Sequence, residues 1–423
     1  AMGWIVMSIF GCLPFMLTGE IPSFVDAMFE MVSGFTTTGA SVVENVELLS
    51  HCTNMWRCLS HWIGGMGILV FLLAVLPLVG GSNMQLMKAE SPGPSVGKLV
   101  PKVRFTARIL YYLYVALTLL QVVIMLLGGM TLYEALCTSF GTAGTGGFGI
   151  RSDSIASFSP FLQWAITIFM IAFGVNFNVY FLLYMRRPKE ALRCEEMRWY
   201  LAIITAAALL IFVNAYDAAL TIEHNLRQSF FQVASIITTT GFATADFNLW
   251  PGFSRGILVL LMFIGACAGS TGGGFKVSRI VIGFKSVLAY LGAFLHPRAV
   301  RKVKFEDKDV DSDTMHAICV YFIAAIGLFV ISVLLISLDG FDLVSTFTAV
   351  AATFNNIGPG LGMAGPSSNF AAFSDFSKIV MTMDMLLGRL EVFPMLMLFY
   401  PPLWKESIEE ARIRRDRAAR LKR

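Results

Sequence analysis

Four short stretches decide how this chain is built: GFTTTGAS at 34–41, AGTGGFG at 143–149, ITTTGFA at 237–243 and FNNIGPG at 354–360. Aligned on Gly39, Gly147, Gly241 and Gly358, they recur at intervals of 108, 94 and 117 residues. Fifteen positions upstream of each glycine stand Phe24, Leu132, Leu226 and Leu343, all large and apolar; thirteen upstream stand Asp26, Glu134, Gln228 and Ser345, all polar. Eleven upstream stand Met28, Leu136, Phe230 and Phe347, and six upstream the small Ser33, Gly141, Ser235 and Ala352. Four columns that agree in chemical type define a fourfold internal repeat.

Each stretch lies between two long apolar runs. These runs fall at about 2–18, 58–80, 109–130, 161–185, 199–222, 256–290, 316–338 and 379–403, eight candidate spans of roughly bilayer length. The segments between the members of each pair are too weakly apolar and too rich in Gly and Thr to cross. The expected fold is therefore an all-α membrane protein of four tandem repeats, each a span, a short re-entrant pore helix, a Gly-containing loop and a span, set pseudo-fourfold about a central pore. The boundaries read 1–80, 81–185, 186–295 and 296–403, with a basic tail at 404–423. Composition agrees: of 423 residues, 56% are hydrophobic and only 14% charged, against about 25% charged in soluble domains. Disordered, coiled-coil, collagenous and secreted disulfide classes are excluded, and no nucleic-acid partner is expected.

The first run, 2–18, lacks the Lys or Arg that precedes a signal peptide's apolar core, so it reads as a retained span. It contains Pro14 and is slightly short of a bilayer crossing, so the natural protein is expected to continue upstream. The seven cysteines contain no C-x-x-C pair. His51, Cys52, Cys58 and His61 cluster, but their spacing matches no standard zinc set and they read as the polar approach to a helix.

Charge placement fixes topology. Of 32 Lys and Arg, 24 lie in the stretches joining one repeat to the next or in the tail. By the positive-inside rule those stretches and both termini are cytoplasmic, which requires an even number of spans per repeat. The re-entrant loops then enter from the outer face.

Non-helical backbone at membrane depth is tolerated only where protein or water covers it, so the four loops must converge. Their carbonyls would line a common axis together with the hydroxyls of Thr37, Thr38, Thr145, Thr239 and Thr240. Such a ring replaces the hydration shell of an alkali cation. A glycine allows the backbone angles this needs, and the short helices aim their negative C-terminal ends at the ion. One TTTG alone is a helix cap and a turn; four in register, each between spans, imply a cation pore.

Two further features bear on a gate. Gly265, Gly269, Gly272, Gly273 and Gly274 interrupt the sixth run and should break its helix. A phosphate-binding loop is rejected because Phe275 separates Gly274 from Lys276; close packing through small residues is the structural alternative to a flexible gate. Arg389 lies within the last apolar run, either in the pore below the filter or paired with Glu391. Lys276 and Arg279 read as interfacial groups whose stems snorkel.

The chain resembles the superfamily of potassium transporters that includes TrkH, KtrB and HKT, and within it most resembles TrkH. The resemblance covers essentially the whole chain. It rests on TTTGAS, TTTGFAT and NNIGPG in the loops, HWIGGMGI at 61–68, AESPGP at 89–94, GACAGSTGGGFK at 265–276 and GRLEVFP at 388–394. It implies the membrane subunit of a potassium uptake system in a bacterial inner membrane, with a single-file K⁺ filter, a homodimer, and a cytosolic nucleotide-binding ring of the TrkA kind. By position the filter comprises Thr37, Thr38 and Gly39; Thr145, Gly146 and Gly147; Thr239, Thr240 and Gly241; Asn356, Ile357 and Gly358. It also implies the gate at the glycine run and Arg389 as the pore arginine. Relatives carry a further helical hairpin before the first repeat, which would precede Ala1.

Coupling to H⁺ or Na⁺ stays open. Asp384 and Glu391 are the intramembrane acids in the last span, too few for an evident relay, which favours a channel-like mechanism. An intramembrane serine protease using Ser270 with His296 or His316 is the rival from another class, disfavoured because both histidines sit beside charged segments. A non-conducting regulatory subunit is the other rival, opposed by the presence of all four filter glycines.

Overall fold

The computed structural model of the protein describes residues 2–67, 103–295, 302–390, 392–397 and 400. Within them the chain is helical apart from one hairpin, in which Lys304–Phe305 pairs antiparallel with Lys308–Asp309 through a turn with positive φ at Glu306 and Asp307. That hairpin lies in the basic stretch joining the runs 256–290 and 316–338, to which the sequence reading assigned no element.

Four short helices organise the fold: Phe24–Phe35, Leu132–Gly144, Ile222–Ile237 and Leu343–Phe354. Each starts at a side-chain cap. Ser23, Thr131, Thr221 and Asp342 accept the N–H of Asp26, Glu134, His224 and Ser345, satisfying donors that a helix start leaves bare. Against each packs the preceding long helix: Met2–Leu17, Val103–Leu127, Glu195–Asn214 and Ser312–Ile336 respectively.

The following helices close a ring. His51–Gly65 touches the first and second short helices, Pro160–Phe173 the second and third, Gly252–Ile264 the third and fourth, and Asp375–Leu390 the fourth and first. Close approach is built into the sequence: a Cβ on Gly65 would press on Gly144 Cα at 2.7 Å, and one on Gly64 would collide with the Phe35 carbonyl. Among the described residues, four helices are long and apolar enough to cross a membrane, Arg108–Leu127, Glu195–Asn214, Val277–Leu295 and Ser312–Asp339, and their outward faces are largely exposed apolar side chains.

Among the described residues, the helix that enters the run 58–80 already ends at Gly65, and two further expected spans are not continuous. The run 256–290 divides into Gly252–Ile264 and Val277–Leu295, with Gly265 at φ +71° ending the first, as its glycines require. The run 161–185 also breaks, into Pro160–Phe173 and Phe177–Tyr184 at 89°, a correction to the sequence reading. Gly174 is wedged where a Cβ would meet the Tyr200 hydroxyl and Thr238, and Asn176 caps the second piece. In place of the expected run 199–222 stands the helix Glu195–Asn214, because Ile222 already begins the third short helix. Residues 68–80, the AESPGP stretch and the tail lie outside the described residues.

Candidate functional site

All four short helices end the same way. The N–H groups of Thr38, Gly146, Thr240 and Ile357 reach back to the carbonyls of Ser33, Gly141, Ser235 and Ala352 at 2.8–2.9 Å, and the residue before each bonds one turn back. This is the Schellman termination, which places one residue in the left-handed region. Those residues are Thr37, Thr145, Thr239 and Asn356, with φ between +56° and +59°. Asn tolerates that conformation; a β-branched Thr does so at a cost of about 1–3 kcal/mol. Two residues on, Gly39, Gly147, Gly241 and Gly358 take φ of +83°, +76°, +84° and +98°.

The four glycines stand in a closed cycle. A Cβ on Gly39 would fall on the carbonyl oxygen of Gly146, one on Gly147 on that of Thr240, and one on Gly241 on that of Ile357. A Cβ on Gly358 would meet the Thr38 carbonyl at 2.8 Å, which returns to the first loop. Each glycine thus makes room for the carbonyl just before the next loop's glycine, and the loops surround one axis.

Side chains hold this backbone from behind. Thr38 and Thr240 pair through their hydroxyls with Thr36 and Thr238, which bond to Val32 O and Ala234 O. Thr239 Oγ1 accepts from Gly273 N–H at 2.6 Å, Thr145 Oγ1 donates to Gly144 O, and Asn356 Nδ2 donates across to Thr38 Oγ1 and Met385 O, both at 2.9 Å. Thr37 Oγ1 is buried and has no partner among the described residues.

The polar column thirteen positions upstream has a reason. Asp26 pairs with Lys378 at 2.6 Å, Glu134 with Arg151 at 2.6 Å, Gln228 bonds to His224, and Ser345 Oγ accepts from Met363 N–H. Sequence reasoning missed a fully buried brace. Glu30, fully buried, accepts from Arg57 Nε at 2.8 Å, Ser41 Oγ and Val42 N–H at 2.9 Å, while Arg57 lies over the Phe148 ring. It ties the first short helix to the segment after Gly39. Breaking a buried pair strands a charge at a cost of about 3–5 kcal/mol. Arg57→Ala is therefore expected to lower the thermal-shift midpoint of the detergent-solubilised protein sharply, whereas Arg187→Ala, in an exposed pair, is expected to leave it unchanged.

On one side of the ring opens a cavity of about 150 Å³ that touches Gly39, Gly147, Gly241 and Gly358. On the other, a cavity of about 30 Å³ is lined by Gly272, Gly273, Gly274, Gly388, Lys276 and Arg389, among others. The glycine run 265–276 lies against the loops themselves, since Gly274 N–H donates to Asn355 O at 3.1 Å. Arg389 donates to Thr271 O at 2.8 Å and to Gly64 O and Gly65 O at 2.7 and 3.2 Å. Glu391, the alternative partner, is outside the described residues.

Lys276 and Arg279 do not snorkel. They are 3% and 7% exposed, Lys276 Nζ donating to Gly272 O and Arg279 stacking on Tyr321; packing of the run into the bundle leaves their stems no route outward. Among the described residues the protease dyad does not assemble: Ser270 Oγ donates to Cys267 O and His316 is exposed on its helix, while His296 lies outside the described residues. Of the four residues considered for zinc, His51 stacks on Tyr133 and Cys52 is exposed, while Cys58 and His61 are buried and His61 Nδ1 meets Gly34 O.

Apolar long helices around four loops that converge on one axis define a multi-pass membrane protein of the ion-transporting class. The chain belongs to the TrkH family, described as cation transport proteins, whose profile matches residues 1–215 and 199–409. It is 39% identical over 413 residues to the Trk system potassium uptake protein TrkH of Salmonella typhimurium and 38% identical over 413 residues to that of Escherichia coli K12, in each case covering 95% of this chain and 84% of the relative. Its fold matches the crystal structure of the potassium transporter TrkH from Vibrio parahaemolyticus with a TM-score of 0.84 at 34% identity, over 95% of this chain and 84% of that one.

Proposed function

We propose that this chain is the membrane-embedded, ion-translocating subunit of a potassium uptake system and not an enzyme. The observation that carries the reading is the cycle of four glycines, each abutting the carbonyl that precedes the next. Carbonyl oxygens so arranged replace the water shell of a dehydrated cation. The names of the relatives supply the ion, K⁺.

The filter is built from Thr37, Thr38 and Gly39; Thr145, Gly146 and Gly147; Thr239, Thr240 and Gly241; Asn356, Ile357 and Gly358. Each of the four units, 1–80, 81–185, 186–295 and 296–403, contributes two spans and one re-entrant loop, eight spans in all. The run containing Gly265, Gly269, Gly272, Gly273 and Gly274, with Arg389, forms the gate beneath it. The protein sits in a bacterial inner membrane with both ends of the chain cytoplasmic, dimerises, and is regulated by a cytosolic nucleotide-binding ring of the TrkA kind. One observation favours coupled transport as a second reading: Asp384 is buried, bonded to Ser332 at 2.6 Å, with its other oxygen unpartnered among the described residues.

The test is Rb⁺ uptake by liposomes holding the purified protein. Uptake that excess Na⁺ fails to suppress is expected. Uptake that follows an imposed proton or sodium gradient would favour coupling, and none above empty liposomes, even with Arg389 substituted, would sink the translocation reading.

A further inference from the structure

Glu196, the second residue of Glu195–Asn214, is only 3% exposed. A buried carboxylate must be well hydrogen-bonded or carry a heavy desolvation cost. Its Oε1 accepts from the N–H of Ala268 at 2.7 Å and of Ser278 at 3.2 Å, and its Oε2 from Asn176 Nδ2 at 3.3 Å. Ala268 and Ser278 flank the glycines at 269–274, so one oxygen draws the two limbs of that segment together. Asn176 is the cap at the 89° break of the neighbouring helix pair. That break is itself sewn to the glycine run, by Cys267 N–H to Gly174 O at 3.1 Å and Phe177 N–H to Gly269 O at 3.0 Å.

A second set of contacts leads away from the site. Glu306, in the hairpin turn, accepts from the backbone N–H of Glu196 at 3.1 Å and from the Cys194 thiol at 3.2 Å, and its own N–H donates to Glu195 Oε2 at 3.2 Å. Lys285 Nζ joins Glu195 to the Lys304 carbonyl. The hairpin therefore caps the helix start that presents Glu196, a position where the helix dipole favours anionic groups. Its tip, Asp307 to Asp309, is exposed.

We infer that Glu196 is the positioning residue of the gate: its carboxylate clamps 265–276 under the converging loops, and the hairpin at 304–309 sets where that clamp sits. The inference rests on the reading of 265–276 as the gate. Apart from the clamp, the middle of the run meets the pore loops through single bonds from Gly273 and Gly274, and Arg389 through Thr271. Loosening the clamp should shift the gate toward open without touching the filter carbonyls.

The experiment compares Glu196→Ala, Glu196→Gln and Glu306→Gln with the parent in proteoliposome Rb⁺ flux and planar-bilayer recording, without added partner. Open probability is expected to rise about tenfold in Glu196→Ala, the scale of one charge-assisted hydrogen bond, and less in the Gln variants. Unitary current and K⁺/Na⁺ discrimination should stay at parental values. The Gln variant, which keeps the shape and one oxygen acceptor, carries the test if the Ala variant fails to fold. Parental open probability in well-folded Glu196→Gln and Glu306→Gln, alongside a rise in Arg389→Ala, would overturn the clamp while leaving the gate reading intact. A lower melting temperature with parental gating would reduce Glu196 to a structural brace. No change in any of these, Arg389→Ala included, would overturn the gate reading and the clamp with it.

Discussion

Gly241→Ser is expected to reduce the preference for Rb⁺ over Na⁺ by at least about tenfold and to cut uptake with it, because serine cannot satisfy two constraints that glycine meets. The first is conformational: φ at 241 is +84°, where an L side chain costs roughly 1–2 kcal/mol. The second is spatial, since the new Cβ would fall on the Ile357 carbonyl oxygen and 2.9 Å from Pro359 Cδ. Neither neighbour can retreat freely, because Ile357 N–H is bonded to Ala352 O at 2.8 Å and the Asn356 side chain is bonded to two further elements. Overpacking of this kind costs about 1–3 kcal/mol and is relieved by displacing the carbonyl. Every 1.4 kcal/mol that the displaced oxygen withdraws from K⁺ relative to Na⁺ is about tenfold in selectivity. Gly256→Ser is the matched control, since a Cβ there meets nothing within 4 Å. The check is Na⁺ competition against Rb⁺ uptake; a folded Gly241→Ser protein with parental Na⁺ exclusion would refute the four-loop filter.

Much of the architecture was legible because it repeats. The columns at Asp26, Glu134, Gln228 and Ser345 and at Ser33, Gly141, Ser235 and Ala352 could be read as chemistry long before their partners were visible. The first set makes polar contacts at the start of each short helix, and the second supplies the carbonyls that terminate it. One column was present and unread: Ser23, Thr131 and Asp342 stand sixteen positions before their glycines and are the caps of three helices, whereas the third helix begins a turn earlier at Thr221. The break at 265–276 could be foreseen from five glycines in ten residues. The break at 174–176 could not, since a Gly with an Asn close by inside an apolar run is common in unbroken helices; Tyr200, Thr238 and the glycine run explain it. Left-handed Thr37, Thr145 and Thr239 run against local preference and are set by convergence of the loops. Glu30 with Arg57, and Glu196 with Ala268 and Ser278, pair over separations no periodicity reveals. The burial of Lys276 escaped for the same reason: whether a stem reaches an interface depends on neighbours contributed by other repeats.

Arg389→Ala is expected to raise Rb⁺ flux in the absence of any partner by about tenfold or more, and Arg389→Lys decides why. The guanidinium joins two otherwise separate pieces to its own helix: Thr271 in the glycine run, and Gly64 and Gly65 at the end of His51–Gly65. A hydrogen bond from a charged donor contributes about 1.5–3 kcal/mol, so losing several moves a two-state gate by an order of magnitude or more. The same charge also repels cations in the 30 Å³ cavity it lines. The two effects separate in the lysine variant, which keeps a point charge but lacks the planar fork that serves Thr271, Gly64 and Gly65 at once. If bridging dominates, Arg389→Lys opens nearly as readily as Arg389→Ala. If the field dominates, the lysine variant stays near the parental flux, and only removal of the charge raises the unitary current. Bridging is the expected result, because one guanidinium holds Thr271 of the glycine run and Gly64 and Gly65 of His51–Gly65 at once. Flux in Arg389→Ala at or below the parental level, with the protein folded, would remove Arg389 from the gate altogether.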